Sequence, residues 1–172
     1  MPPAGSSWGS DAPGMRTFKT RRKVAHSAED MFALVADVER YPEFVPLCES
    51  LKIRGRSTKE GKEVLVAGMT AAYKMFRETF TSRVTLDPDN NEILVEYLDG
   101  PFSHLENRWR FEPLDDETSE IGFYLEYEFR RRSLQMLMGA MFDAAFSRFA
   151  EAFEKRADAI YGKRSSRARK VS

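Results

Sequence analysis

The sequence predicts an α+β domain in which a curled antiparallel sheet of seven strands is covered by one long C-terminal helix. Between residues 49 and 131 apolar residues recur at every second position, and short turn sequences separate the segments, which indicates consecutive antiparallel strands. From residue 133 to 161 the apolar spacing becomes about 3.6 residues, which indicates a helix. Two short helical segments follow the first strand, and we expect them to cover one end of the sheet.

The two short helices are predicted between residues 27 and 47. Ser27 can cap the first helix, because Asp30 follows three residues later and favours the positive end of the helix dipole. Pro42 interrupts the helical spacing, so this helix must end before a second, shorter one that contains Phe44.

Seven strands are predicted from the alternation and from the turns between the segments. Turn sequences such as Asp99-Gly100-Pro101 are short enough to join neighbouring strands as hairpins. The last segment alternates most clearly, because Phe123 and Leu125 face one side while Tyr124 and Glu126 face the other. The predicted strands are 16–25, 49–57, 62–72, 74–86, 91–99, 102–112 and 119–131.

The C-terminal helix is predicted over residues 133–161, which is about 40 Å at 1.5 Å per residue. Its apolar residues, Leu137 and Phe153 among them, fall within an arc of about 200°. Such an arc is wider than a flat sheet needs, so we expect the sheet to wrap around the helix.

Composition indicates one folded domain with two unusual ends. At 172 residues, with 42% hydrophobic and 12% aromatic content, the chain is sufficient for one core. Residues 163–172 hold five bases and no acid, and residues 1–14 hold one acid and no base. Of the 27 bases and 27 acids, 22 and 26 therefore remain in residues 15–162. An acidic body is not typical of a dedicated nucleic-acid binder, and we expect no DNA partner.

These observations divide the chain into three regions. Residues 1–14, rich in Pro, Gly and Ser, are expected to be a disordered leader, and residues 163–172 a basic disordered tail. Residues 15–162 form the folded domain. A single cysteine, Cys48, excludes an intramolecular disulfide and favours a reducing compartment. With no apolar run of about 18 residues and no secretory signal, the expected location is the bacterial cytoplasm.

The apolar helix face and the inward row of the sheet either line a ligand cavity or form a packed core. Aromatic stripes at helical spacing are usually core. Methionines cluster around Gly139, however, and methionine suits an adaptable apolar lining, while the glycine lowers local helix stability by about 1 kcal/mol relative to alanine. The candidate cavity residues are Phe44, Phe80, Trp109, Phe123, Leu125, Tyr127, Met138, Met141, Phe142 and Phe149.

Candidate polar groups are few. The strand residues that would orient a polar ligand head are Arg77, Glu78, Asn107 and Tyr127, although each also suits a surface pair or a satisfied core group. His104 has the parity of the polar face of its strand, which makes it a poor base for a buried substrate. Two isolated histidines and Cys48 show neither metal-ligand spacing nor a nucleophile–base motif. We therefore expect no metal, no catalytic cofactor and no enzyme activity.

Three consecutive arginines, Arg130, Arg131 and Arg132, precede the long helix. Together with the basic tail they form either an ordinary solvated surface or a contact for anionic lipid head groups or ribosomal RNA.

Three motifs recur in one order along the chain: Tyr41-Pro42-Glu43-Phe44, then Asp99-Gly100-Pro101-Phe102 about 55 residues later, and Trp109-Arg110-Phe111. Together they resemble the coenzyme-Q-binding START-domain family, within the polyketide cyclase/dehydrase superfamily. Each motif alone is weak, but the combination is specific, and the resemblance covers roughly residues 16–161. It implies the helix-grip fold of START and pollen-allergen-like domains.

The resemblance implies an interior cavity for ubiquinone or another polyprenyl lipid, carried as a ligand in support of respiration. A carrier of this kind would contact the anionic inner membrane peripherally. The same family includes a bacterial ribosome-association toxin, so binding to the large ribosomal subunit and blocking of subunit joining is the alternative function. A third alternative, an aromatase or cyclase, requires a buried acid–base pair.

Overall fold

A computed structural model describes residues 7–9 and 14–162, and it confirms the predicted α+β class. Eight antiparallel strands form one sheet in the order β1-β2-β8-β7-β6-β5-β4-β3, with helices packed on its concave face. The strands are β1 (Ser7–Gly9), β2 (Arg16–Val24), β3 (Cys48–Lys59), β4 (Lys62–Tyr73), β5 (Phe76–Asp87), β6 (Glu92–Asp99), β7 (Phe102–Pro113) and β8 (Ser119–Phe129). The helices are α1 (Ala28–Ala36), α2 (Arg132–Ser147) and α3 (Phe149–Tyr161), with short 3₁₀ helices at Val38–Glu43 and Pro88–Asn90.

The structure has one strand more than the seven predicted, and this additional strand is β1. It lies where a disordered leader was expected, so the prediction was wrong for residues 7–9. Trp8 explains why three residues suffice. Its ring lies 4.8 Å from that of Phe18, and the Arg16 guanidinium lies 5.2 Å above it. Strand β1 therefore gains an aromatic anchor as well as its backbone pairing with β2. The rest of the predicted leader, apart from Gly14, and the predicted tail lie outside the described residues.

The first helix begins as the capping pattern predicts. The Ser27 side-chain oxygen accepts a hydrogen bond from the Asp30 backbone N–H at 3.0 Å. Helix α1 buries Met31 and Val35, and the following 3₁₀ helix places Tyr41 against the interior. The Tyr41 hydroxyl donates a hydrogen bond to the Val35 carbonyl, which ties the two segments into one unit over the sheet.

The C-terminal helix is broken into two at Arg148. The backbone there has φ −100° and ψ −2°, and α3 resumes with the Ala152 N–H donating to the Arg148 carbonyl. The inward face is also narrower than predicted, because Leu137 is 78% exposed and Ile160 is 51% exposed. The expectation that Leu137 packs inside was therefore wrong.

Aromatic rings fill one end of the interior, where β5 to β8 meet α2. The Phe102 ring stacks on Phe129 at 4.9 Å and meets Phe80 edge-on at 5.5 Å. Phe142 of α2 closes this cluster from above, 5.2 Å from Phe129. The remaining space lies farther along the sheet, beneath the break between α2 and α3.

Candidate functional site: an apolar interior cavity

An apolar cavity of about 90 Å³ lies between the concave face of the sheet and the C-terminal helices. Strands β3 to β8 supply its floor, and Tyr41 of the 3₁₀ helix closes one side. Phe146, Phe149 and Phe153 cover it from α2 and α3. The lining contains no aspartate, glutamate, histidine, lysine or arginine.

Half of the predicted cavity residues line this space. Alternation along a strand identifies the inward face, and residues near the middle of each strand reach the cavity. The predicted residues that line it are Phe80, Trp109, Phe123, Leu125 and Phe149.

The other five predicted cavity residues are not among the lining residues. Tyr127 and Phe142 belong to the aromatic cluster at the end of the sheet. Phe44 packs edge-on against Phe153 at 4.9 Å, with the Arg156 guanidinium 5.1 Å from its ring, and so lies behind the cavity wall. Met138 and Met141 are partly buried at the margin of the core.

Sequence reasoning missed several lining residues. Phe146 and Phe153 belong to the predicted helix face but were not singled out as cavity residues. Ser82 shares the inward parity of Phe80 and Val84 on β5, and that parity was the available signal.

The polar groups of the lining differ in whether they have partners. Both polar atoms of Asn107 have partners, because its Oδ1 accepts from Trp109 Nε1 at 2.8 Å and its Nδ2 donates to the Tyr124 carbonyl at 2.9 Å. Burial raises the pKa of Tyr41, whose hydroxyl is held by the Val35 carbonyl. Ser82, only 5% exposed, has a hydroxyl without a hydrogen-bond partner in the structure. Ser82 is thus the lining residue whose polar atom remains available to a ligand.

Tyr127 has a structural role instead of facing the cavity. Its hydroxyl donates to Asp143 Oδ1 at 2.7 Å, and Arg16 Nη2 donates to Asp143 Oδ2 at 2.9 Å. Burial raises the pKa of Tyr127, and the neighbouring Asp143 carboxylate adds to the effect. This cluster joins α2 to β2 and β8 beside the aromatic end of the core.

The candidate acid–base residues do not come together. His104 lies on the outer face, with Nε2 at 2.9 Å from Glu126 Oε1. The hydrogen bond from the Tyr124 hydroxyl lowers the pKa of Glu126, and His104 contributes to the same shift. Glu78 has the inward parity of Phe80 but lies beyond the cavity, beside Arg130 and Arg131. Arg77, the remaining polar candidate, pairs with Glu49 at 2.7 Å on the surface.

The predicted arginine surface is exposed at the start of α2. Arg130, Arg131 and Arg132 are all exposed, and the Arg130 backbone N–H donates to the Pro101 carbonyl at 2.8 Å. The basic tail that was expected to extend this surface lies outside the described residues.

Two further observations concern metal sites and membrane-spanning helices. Within residues 7–9 and 14–162, no group of three or more His, Cys, Asp and Glu side chains is arranged to hold a metal ion. In the same part of the chain, no helix has the length and apolarity needed to cross a membrane.

A sheet wrapped around helices over an apolar interior is the helix-grip architecture, and known proteins of this architecture are similar to this chain. Residues 24–154 match the family described as polyketide cyclase / dehydrase and lipid transport, and the chain belongs to that family. Among solved structures, an aromatase/cyclase from Streptomyces sp. R1128 superimposes with a TM-score of 0.69 at 23% identity, covering 84% of this chain and 94% of that one. A START superfamily protein from Mycobacterium smegmatis gives 0.67 at 22% identity, covering 84% and 98%. These two likenesses confirm the fold.

Two kinds of curated relative are similar in sequence. The ribosome association toxin RatA of Vibrio cholerae is 35% identical over 139 residues, which is 81% of this chain and 93% of RatA. The coenzyme Q-binding protein COQ10 homolog B, mitochondrial, of Xenopus laevis is 31% identical over 150 residues, 85% of this chain and 59% of that protein. The family resemblance predicted from the sequence motifs is therefore confirmed.

Proposed function

We propose that this protein binds ubiquinone or a similar polyprenyl lipid in its interior cavity and acts as a carrier, without catalysing a reaction on it. The observation that carries the proposal is the lining of the cavity, which is largely apolar. Its polar atoms belong to Tyr41, Asn107 and Trp109, which have hydrogen-bond partners, and to Ser82, whose hydroxyl has none. An interior without an acid or base suits holding a molecule better than transforming it. The family description, which includes lipid transport, supports the same class of function.

The energetics of such a ligand follow from the lining. Burying apolar ligand surface contributes about 25 cal/mol per Å² before the cost of association, so an isoprenoid tail would supply most of the affinity. A quinone carbonyl would accept a hydrogen bond from Ser82. That bond would orient the head group while contributing about 1 kcal/mol.

The cavity as the structure shows it is smaller than this ligand requires. Its 90 Å³ compares with about 150 Å³ for an engineered cavity that binds benzene, and with about 300–1,000 Å³ for typical ligand pockets. Loading must therefore move part of the wall. The break at Arg148, between Phe146 and Phe149 of the roof, is the natural point for α2 to move relative to α3.

Co-purification tests the carrier function. We expect protein expressed in a quinone-producing host to retain quinone that organic extraction and mass spectrometry detect. We also expect a short-chain ubiquinone to raise the midpoint of thermal unfolding, because the ligand binds only the folded state. Absence of any co-purifying quinone or prenyl lipid, together with no thermal shift, would contradict the proposal.

Association with the large ribosomal subunit is the second candidate function. It is favoured by the RatA relative, whose name states ribosome association and which aligns over almost its full length. The exposed cluster Arg130, Arg131 and Arg132 is a suitable contact for RNA phosphates. Co-sedimentation with ribosomal subunits tests this function. Subunit binding that is unchanged after neutralising the three arginines and deleting residues 163–172 would exclude the electrostatic form of it.

A further inference from the structure

The outer face of α2 has the composition of a buried surface although it lies at the protein surface. Met136 and Leu137 are 87% and 78% exposed, and Ala140 and Ala144 beside them are exposed as well. At 100° per residue these four side chains fall within an arc of about 100°, and that arc contains no acid and no lysine. A helix that is apolar on both faces normally lies in a core or against a membrane.

The neighbouring helix shows what an ordinary solvated face looks like in this protein. The outer face of α3 has Lys155 and Glu151 as an ion pair at 3.0 Å, and Glu154 bonds to Arg22 at 2.6 Å. Helix α2 contains one charged residue between its terminal turns, Asp143, which is engaged by Arg16 and Tyr127. The difference between the two helices is therefore specific to the outer face of α2.

Arginines flank this face at both ends. Arg130, Arg131 and Arg132 precede or begin the helix and Arg148 follows it, and all four are exposed. Within the described part of the chain, none of the four takes part in an ion pair. The first turn of α2 contains no acid, and Arg131 provides no side-chain cap. Three cations at the positive end of a helix dipole are unfavourable in water, and anionic phosphates beside them would reverse that penalty.

We propose that the outer face of α2 docks on an anionic lipid bilayer, with the helix lying parallel to the surface. Met136 and Leu137 would enter the boundary between head groups and acyl chains, and the arginines at the two helix ends would contact lipid phosphates. The ends are about 24 Å apart at 1.5 Å per residue, so one helix would contact several lipids. This inference deepens the proposed carrier function and rests on it, because α2 also supplies Phe146 to the cavity roof.

Vesicle flotation of the full-length protein tests the inference. The probes are vesicles of phosphatidylcholine alone and vesicles that also contain about one third phosphatidylglycerol, an anionic lipid that gives the surface a negative potential. We expect binding to the anionic vesicles that weakens as salt is raised from about 0.1 M to about 0.5 M. The variant Leu137→Glu should lower the bound fraction about tenfold, because it places a carboxylate in the apolar boundary.

A matched control separates docking from general effects of added charge. Ile160 is also an exposed apolar residue on a C-terminal helix, at 51% exposure, but it lies on α3, away from the proposed face. Ile160→Glu should bind vesicles within about twofold of the unaltered protein. Because Leu137 and Ile160 are both exposed, the two variants should keep the unfolding midpoint of the unaltered protein. Both variants also retain the basic residues 163–172.

Three results would overturn the inference. They are equal vesicle binding by Leu137→Glu and the unaltered protein, a dimer in solution that Leu137→Glu dissociates, and ribosomal-subunit binding lost in Leu137→Glu while vesicle binding persists.

Binding of a short-chain ubiquinone in vesicle-free solution is measured on the same variants. If it is retained while vesicle binding is lost, docking on α2 is supported. If the unaltered protein binds vesicles but no quinone, the carrier function fails and the docking surface stands.

Discussion

His26 and Asp158 join the two ends of the folded domain. The His26 Nε2 lies 2.7 Å from Asp158 Oδ1 although the residues are 132 positions apart. His26 is completely buried at the start of α1, and Asp158 lies in the last turns of α3. The Ser119 hydroxyl donates to the His26 carbonyl at 2.8 Å, so β8 holds the same residue. The second helix of the cavity roof, α3, is thereby held at its far end by the segment before α1 and by β8.

Removing the Asp158 carboxylate should destabilise the domain measurably. Asp158→Ala leaves the buried His26 Nε2 without its partner, and we expect the free energy of unfolding to fall by about 1–3 kcal/mol. Glu151→Ala is the matched control, because it breaks a solvent-exposed ion pair on the same helix and should cost less than about 0.5 kcal/mol. Urea unfolding measures both. Equal losses would show that the His26 contact contributes no more than a surface pair.

Strand β8 could be predicted from the sequence because its burial alternates strictly. On β8 every second residue from Ser119 to Phe129 is buried, as the alternation requires. The break at Arg148 could not be predicted, because no proline or glycine marks it. The cavity was only half predictable, since parity gives the face that a residue occupies but not its position along the strand. Leu125 and Tyr127 share that face, yet Leu125 lines the cavity and Tyr127 joins the aromatic end.

The variant Ser82→Ala should show how much the oxygen atoms of a ligand contribute to affinity, apart from its apolar surface. The substitution removes an unpaired buried hydroxyl, so we expect unchanged or slightly higher stability. Affinity for a short-chain ubiquinone should fall about fivefold, which corresponds to about 1 kcal/mol for one hydrogen bond. Affinity for a hydrocarbon of similar size should not change. Fluorescence titration measures both ligands, and an equal effect on the two would show that Ser82 does not bond the quinone.

Cys48 should react slowly in the folded protein. Burial raises the pKa of its thiol from 9.0 to about 11, so the reactive thiolate is about 100-fold scarcer at pH 8 than in the unfolded chain. Alkylation by iodoacetamide with and without denaturant measures the ratio. Because the folded state holds this proton more tightly, the contribution to stability is constant below pH 9 and is lost between pH 9 and 11. A Cys48→Ala variant should lack that part of the alkaline loss, and equal losses in both proteins would contradict the assignment.

Filling the cavity should abolish ligand loading without unfolding the protein. Ala67 lines the cavity, and Ala67→Leu adds three carbons that the 90 Å³ space can accept, so we expect an unchanged or raised unfolding midpoint. Ala71 lies on the same strand and is equally buried at 5% exposure, but it is not a lining residue. Ala71→Leu should therefore overpack the core and cost about 1–3 kcal/mol. The thermal shift caused by a short-chain ubiquinone should disappear in Ala67→Leu, because the added side chain occupies the space that the head group needs. Quinone binding that persists in Ala67→Leu would place the ligand outside this cavity.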